Sequence, residues 1–308
     1  MKIVTLTLNP AFDIHCYGAE IRPLEENIAK ITERDIGGKG VNISRALGVC
    51  GTKNLAFLLL GKDNGAELEN RLKKEGIECK SIYIPGRVRE NITHHSERGE
   101  TRLSFDGLCV DSESFYAVQE EILSLIGNGD ILTLTGSLPE GVSNKSAVSL
   151  LMRAKKKGAL AVADSRSLTY ADLAEAKPWL IKPNFAELRA MTGGKAQKRG
   201  EILACAEELY SQGIENVLVS LGSDGAVLRC SEGAFCAAAP KIEAISTIGA
   251  GDSMIAGFIY GREKGESMAG ALRYAVAFGS AACLLEGTVP PKMCDIIELV
   301  KKTEVKRI

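Results

Sequence analysis

Short apolar runs alternate with amphipathic stretches along most of the chain. "KIVTLTL" near the start reads as a strand, and "NLAFLLLG", "DILTLTGS", "ALAVADS", "WLIKPN" and "NVLVSLGSDGAVLR" repeat the theme. Between them, "GGKGVNISRALGVCG" spaces Val41, Ala46 and Leu47 for a helix, and "GAELENRLKKEG" sets Leu68 and Leu72 four apart on one helical face. "SNKSAVSLLMRAKKKG" is a helix closed by a glycine. "DSMIAGFIYGREKG" and "ALRYAVAFGSAACLLEG" are rich in small and apolar residues, as late, well-buried helices are. This alternation predicts an α/β fold with a mostly parallel central sheet and helices on both faces. Right-handed crossovers then place ligands outside the carboxyl ends of the strands.

Two segments break the rhythm: "FDIHCYGAEIRPLEENIAKITERD" and "KSIYIPGRVRENITHHSERGETRLSFDGLCV". Both carry the marks of antiparallel strand pieces, the second with a glycine-marked turn at "ERGE". Long loops without structure of their own are uncommon. The expectation is one domain over residues 1–308, with a small β-sheet lid built from insertions at about 12–35 and 82–110. Adjacent residues on a strand point oppositely, so His94 and His95 cannot form a metal pair on one face and are read as lid surface.

Charge and composition narrow the function. The net charge of −1 gives no basic excess for nucleic acid or an anionic membrane. No apolar run approaches the ~18 residues of a membrane span. The start "MKIVTLTLNP" has no cationic and apolar leader pattern. Nine scattered cysteines without a C-x-x-C pair read as reduced, mostly buried thiols. A cytoplasmic protein that handles a small molecule is expected.

Several short stretches could carry chemistry. In "STIGAGDSMIAGF", Gly249, Ala250 and Gly251 precede a helix, where backbone N–H groups and the helix dipole favour an anion. No lysine follows the second glycine, so this is not a Walker loop. Asp252 beside that cradle reads either as a base that takes a hydroxyl proton during phosphoryl transfer or as a plain helix cap. In "GGKGVN", Gly37 and Gly38 allow close backbone approach, Lys39 adds charge and Asn42 adds a donor and an acceptor; an ordinary glycine turn is the alternative. Asp13 of "LNPAFD" can accept from two sugar hydroxyls or be a solvated turn residue. Lys182, Asn184 and Glu187 follow a strand in "WLIKPNFAEL"; Lys182 suits a phosphate, and Glu187 suits a hydrated Mg²⁺ or the first turn of a helix. "SLGSDGA" offers Ser220, Gly222 and Gly225 for nucleotide phosphates or ribose. Arg89 and Asn91 in "GRVREN" would face the substrate from the lid, where an arginine suits phosphate, though most surface arginines are unremarkable.

Taken together, "TLNPAFD", "GGKGVN", "TGSLPEGV", "KPNFAEL", "VSLGSDGA" and "STIGAGDSMIAGF" resemble, in order and spacing, the motifs of the ribokinase-like (PfkB) carbohydrate kinases. The resemblance covers essentially the whole chain and is nearest to the branch holding 1-phosphofructokinase and tagatose-6-phosphate kinase. It implies a three-layer α/β core with a β-sheet lid that often doubles as a dimer clasp, and ATP with Mg²⁺ as phosphoryl donor. By that resemblance Asp252 is the catalytic base and Gly249 to Gly251 the anion hole. Asp13, Gly37, Gly38, Lys39 and Asn42 form the sugar-binding set, with Arg89 and Ser137 as neighbours. Asn184 and Glu187 match the N-x-x-E motif associated with Mg²⁺ and phosphate. Ser220, Gly222 and Gly225 match the nucleotide loop, and Gly279 of "AFGSAA" would line the adenine pocket.

The sequence departs from that branch at two places. "RPLEENIAK" has Ile28 where an arginine is usual, and "ETRLSFDGL" replaces the usual T-E-x-N-x-x-G-P pattern. Either Arg102 replaces the missing charge, or the acceptor is not the usual ketohexose phosphate. The sequence therefore predicts an ATP-dependent kinase of a ketohexose monophosphate such as fructose 1-phosphate or tagatose 6-phosphate. Its alternatives are a kinase of an unphosphorylated sugar and a silent sugar- or nucleotide-binding regulator.

Overall fold

The structure is a computed structural model that describes residues 1–195 and 198–308. The strands in chain order begin with β1 (Ile3–Thr7), β2 (Ala11–Gly18), β3 (Ala29–Gly37), β4 (Leu55–Gly61) and β5 (Glu78–Ile84). Next come β6 (Arg89–Ser96), β7 (Gly99–Leu103), β8 (Ile131–Thr135), β9 (Leu160–Asp164) and β10 (Leu180–Ile181). The last are β11 (Asn216–Ser220), β12 (Ala226–Cys230), β13 (Gly233–Ala237) and β14 (Val305–Arg307).

Ten of these form one sheet in the order β14-β13-β12-β11-β10-β9-β8-β1-β4-β5. The run from β5 to β11 is parallel, and β12 to β14 add an antiparallel edge. Period-two alternation explains how β1 serves two helical layers. Val4 and Leu6 join the core beneath one face, while Ile3 joins the core on the other. Thr5 faces the helix Lys39–Val49 and shares a 2.6 Å hydrogen bond with Ser44. The amphipathic expectation for Leu68 and Leu72 holds: both are buried in the helix Gly65–Lys74.

After β1 the chain builds β4 and β5 to one side, then returns to β8 on the other. The crevice at this reversal, outside the carboxyl ends of β1, β8, β9 and β10, is where such folds bind ligands. The helix Ala250–Glu263 points its N-terminus there and is buried along most of its length. It packs against the helix Met268–Ala282, with Tyr260 and Phe278 rings 5.5 Å apart.

The remaining four strands form a small sheet in the order β3-β2-β6-β7. Each insertion supplies an antiparallel pair, β2 with β3 and β6 with β7, and the two pairs join through parallel β2 and β6. The reading of both histidines as surface needs correcting. His94 is 7% exposed, and its Nε2 lies over Gly18 of the neighbouring β2, 3.0 Å from where a Cβ there would stand. His95 instead meets His15, with Nδ1 of His15 and Nε2 of His95 3.0 Å apart. Among the described residues, no helix is long and apolar enough to cross a membrane.

Candidate active site

A cavity of about 600 Å³ lies between the strand ends and one face of the small sheet. Strand periodicity sets that face. Asp13 on β2 stands in register with Asn91 on β6, and Arg89 lies two residues earlier on the same side. Asn91 Nδ2 donates to Asp13 Oδ1 at 2.9 Å, and Arg102 Nη2 of β7 donates to the same oxygen at 3.1 Å. Arg89 reaches back to the main sheet, where its Nη2 donates to the Asn9 carbonyl at 3.2 Å and to Ser137 Oγ at 3.3 Å. Burial lowers the Arg89 pKa against the pull of Asp13, and Arg102 adds to the fall. Two guanidinium groups thus stand over one carboxylate at the mouth of the cleft.

On the opposite wall, Gly249 caps the helix Ala250–Glu263 with φ 75°, a left-handed conformation that glycine adopts without strain. That geometry frees Asp252 from capping duty: no side chain caps this helix end. Asp252 is 7% exposed and accepts a 2.8 Å hydrogen bond from Asn42 Nδ2. Burial raises its pKa to about 6, and the opposing influence of Lys39 and the Asn42 hydrogen bond offsets only part of this. A carboxylate that is still largely ionised near pH 7, yet more basic than usual, suits a proton acceptor.

Lys39 stands between two acids. Its Nζ donates to Asp164 Oδ2 at 2.8 Å, and Asp252 attracts it from the other side. Burial works against the Lys39 ammonium, but the two carboxylates outweigh it and raise its pKa. Burial likewise works against an ionised Asp164, yet Lys182 and Lys39 together hold its pKa below the usual aspartate value. Gly38, with φ 129° and Thr7 closing on its missing Cβ, delivers Lys39 to this spot.

Asn184 and Glu187 form a capping box on the helix Phe185–Met191. Glu187 N donates to Asn184 Oδ1 at 2.8 Å, and Asn184 N donates to Glu187 Oε2 at 2.9 Å. Glu187 Oε1 faces Arg166 at 3.4 Å and borders the cleft. Among the described residues, no group of three His, Cys, Asp or Glu side chains could hold a metal ion by itself.

Fourteen of the expected residues line this one cleft: Asp13, Gly38, Lys39, Asn42, Arg89, Asn91, Arg102, Ser137, Lys182, Asn184, Glu187, Gly249, Gly251 and Asp252. Gly37 lies just behind, against the Asp13 carboxylate, and Ala250 opens the helix. Ser220 bridges to Asn184 at the edge of the site. Gly222 and Gly225 flank a tight turn between β11 and β12, outside the cleft lining. Gly279, expected at the adenine pocket, lies outside the cleft lining, on the helix Met268–Ala282. It is buried between helices, where a Cβ would collide with Met254, so helix packing accounts for it.

Asp164, Asn9 and Thr288 also line the cleft and were not singled out from sequence. The carboxyl-end rule would have pointed to Asp164, the last residue of β9. Five buried polar atoms of cleft-lining residues lack a protein partner: Thr7 Oγ1, Asn9 Oδ1, Asn42 Oδ1, Arg89 Nε and Thr135 Oγ1. Buried polar atoms are rarely left unpaired, so the polar groups behind this wall are unusually under-satisfied.

The model of the pfkB family carbohydrate kinases matches residues 7–293. The chain belongs to that family. A 1-phosphofructokinase of Haemophilus influenzae is 36% identical over 283 residues, covering 91% of this chain and 90% of that protein. The 1-phosphofructokinase of Escherichia coli K12 is 33% identical over 282 residues, with 91% and 90% covered. Phosphofructokinase-2 from Escherichia coli, solved in complex with substrates and products, aligns with a TM-score of 0.90 at 28% identity. That alignment covers 98% of this chain and 99% of the other.

Proposed function

We propose that this kinase transfers the γ-phosphoryl group of ATP to a hydroxyl of a ketohexose monophosphate, of the fructose 1-phosphate or tagatose 6-phosphate type. The observation that carries the reading is the placement of Asp252. It is buried between Asn42 and a glycine cradle, across the cleft from Arg89 and Arg102. Asp252 takes the proton of the acceptor hydroxyl as that oxygen bonds to the γ-phosphorus. The bond from phosphorus to the bridging oxygen breaks, and ADP leaves. The amides at Gly249–Gly251 meet the charge on the transferring group, preorganised by the helix end. Asp13 and Asn91 orient sugar hydroxyls, and Arg89, Arg102 and Ser137 hold the sugar's own phosphate. The names carried by the relatives support the phosphosugar class.

Lys182, Asn184 and the Ser220–Gly225 turn lie toward the nucleotide side. Glu187 borders the cleft with Oε2 taken by the Asn184 amide, so it would hold Mg²⁺ through Oε1 or through water, the rest of the shell being water and phosphate oxygens. Bound there, Mg²⁺ would neutralise phosphate charge. A cytoplasmic setting accords with nine cysteines that are all free thiols.

The small sheet serves as a lid and as the contact between two copies of the chain. Leu24, Ile28, Ile31, Leu103 and Phe105 are exposed on it or its connections, an apolar surface that a partner would cover. A second reading, in which the acceptor is an unphosphorylated sugar, is favoured by one contact: Arg102 is already engaged by Asp13. Phosphorus NMR of the products separates the two. Formation of a sugar bisphosphate from ATP and a ketohexose monophosphate is expected; turnover of free sugars alone would overturn the phosphosugar reading.

A further inference from the structure

Behind the glycine cradle, the small sheet is tied to the main body through Asp35 of β3. Asp35 Oδ2 accepts from Arg45 Nη1 at 3.1 Å and from the Thr288 hydroxyl at 3.2 Å. Arg45, only 8% exposed, also donates from Nη1 to the Thr288 carbonyl at 3.4 Å and from Nε to Glu75 at 2.9 Å. Thr288 is therefore gripped at both its hydroxyl and its carbonyl. Its Cα lies 3.9 Å from where a Cβ of Gly249 would stand, directly against the cradle. A second strand reaches the same turn, since His15 Nε2 of β2 lies 3.6 Å from the corresponding point on Gly287.

Asp35 also stands opposite Asp13 in the β2–β3 register. Like charges directly across a strand pair repel, and here Arg45 and Arg102 each neutralise one of them. The sugar-facing carboxylate, its cross-strand neighbour and the cradle thus form one chain of contacts.

The geometry points to Asp35 as a positioning residue that couples the small sheet to the phosphoryl cradle through Thr288. Asp35 does not line the cleft and touches no reacting atom. When β2 and β3 settle over an acceptor, the Asp35–Thr288 hydrogen bond holds the turn at Gly287–Thr288 against Gly249. Transfer then occurs with the sugar in place, and water is disfavoured as the acceptor. This rests on the kinase reading for its kinetic consequences, but the coupling itself is readable without catalysis.

The test uses Asp35→Ala, Thr288→Val, the double variant and Thr288→Ser in the full-length chain. Amide hydrogen exchange is followed over residues 247–255, which are remote in sequence from both substitutions. Asp35→Ala and Thr288→Val are each expected to speed exchange there, with Thr288→Ser close to wild type. Unchanged exchange over that segment in Asp35→Ala would overturn the coupling, whatever reaction the protein catalyses.

In turnover assays each single variant is expected to lower kcat about 10-fold, as small misplacements of reacting groups do. The KM for ATP should hold, and acceptor-independent ATP hydrolysis should rise relative to transfer. The double variant should be no worse than the poorer single one, because both cut the same link. Losses that multiply, or a Thr288→Ser variant as impaired as Thr288→Val, would contradict the proposal. If Asp35→Ala fails to fold, the comparison of Thr288→Val with Thr288→Ser decides it by the same two readouts. A wild-type protein that phosphorylates no sugar defeats the kinase reading and leaves the exchange result to judge the coupling.

Discussion

Asn42 and Asp252, 210 residues apart in the chain, meet through a 2.8 Å hydrogen bond from Asn42 Nδ2 to Asp252 Oδ2. The contact joins the start of the helix Lys39–Val49 to the start of the helix Ala250–Glu263, one contributing the sugar-side motif and the other the anion cradle. It also fixes which Asp252 oxygen is occupied, leaving the other for an incoming hydroxyl.

Replacing Asp252 by Asn keeps the shape and removes the base. A general base contributes on the order of 10²–10⁴-fold. Steady-state assays of Asp252→Asn should show kcat reduced within or beyond that range, with ATP binding by calorimetry little changed. Retention of most of the wild-type kcat would remove Asp252 from the role of base.

The raised Asp252 pKa gives two pH signatures of fixed sign. The base must be ionised, so kcat/KM should fall on the acid side with a midpoint near the value of about 6. For stability, the folded state holds this proton more tightly than the unfolded chain. The group's contribution is therefore fully present below the unfolded pKa and is lost as pH rises through about 6. Asp252→Asn should accordingly be more stable than wild type at pH 8, by on the order of 2 kcal/mol, and this gain should vanish near pH 4. Denaturant melts at the two pH values measure it; a variant less stable than wild type at pH 8 would oppose the burial argument.

Lys39 and Asp164 act on Asp252 in opposite directions. Lys39 lowers its pKa and Asp164 raises it. Lys39→Met should move the acid limb of the pH–rate profile upward by about one unit, and Asp164→Asn should move it downward. Lys39→Met also removes one partner of a part-buried ion pair and should lower stability, less than for a fully buried pair because Lys182 still faces Asp164. Shifts in the same direction for both variants would contradict this charge arrangement.

The apolar surface around the small sheet leads to an oligomer prediction. Leu24 is fully exposed and has φ 68°, unusual for a leucine, and Ile28, four residues on, is 85% exposed. In sedimentation, the wild type should behave as a dimer and the Leu24→Asp, Ile28→Asp double variant as a monomer. An unchanged sedimentation coefficient in that variant would place the contact elsewhere.

Much of the layout was legible because local patterning and tertiary role agree. Leu68 and Leu72 share a helical face and are both buried; the glycine run before an apolar helix proves to be the N-terminal wall of the cleft. Asn184 and Glu187 stand three apart, the spacing of a capping box, and the structure makes both of its bonds. What escaped notice depends on contacts from distant segments. Asp164 ends a strand that was legible in "ALAVADS", but its ion pair with Lys39, 125 residues away, was not. His94 looks like a polar surface residue until the pairing of β2 beside β6 sets its ring over Gly18. Gly279 carries a motif-like setting, yet the close approach of Met254 is reason enough for a glycine there.

In the proposed reaction Arg89 and Arg102 select phosphorylated sugars and Asp252 is the base. The direct measurement is kcat/KM with ATP and Mg²⁺ for fructose 1-phosphate, tagatose 6-phosphate, fructose and tagatose, in wild type and Arg102→Ala. At least a 100-fold preference for one of the phosphorylated sugars is expected, about the worth of one or two charge-assisted hydrogen bonds. Arg102→Ala should erode that preference chiefly through KM. Equal or better turnover of the free sugars by wild type, with Arg102→Ala leaving the ratio unchanged, would contradict it.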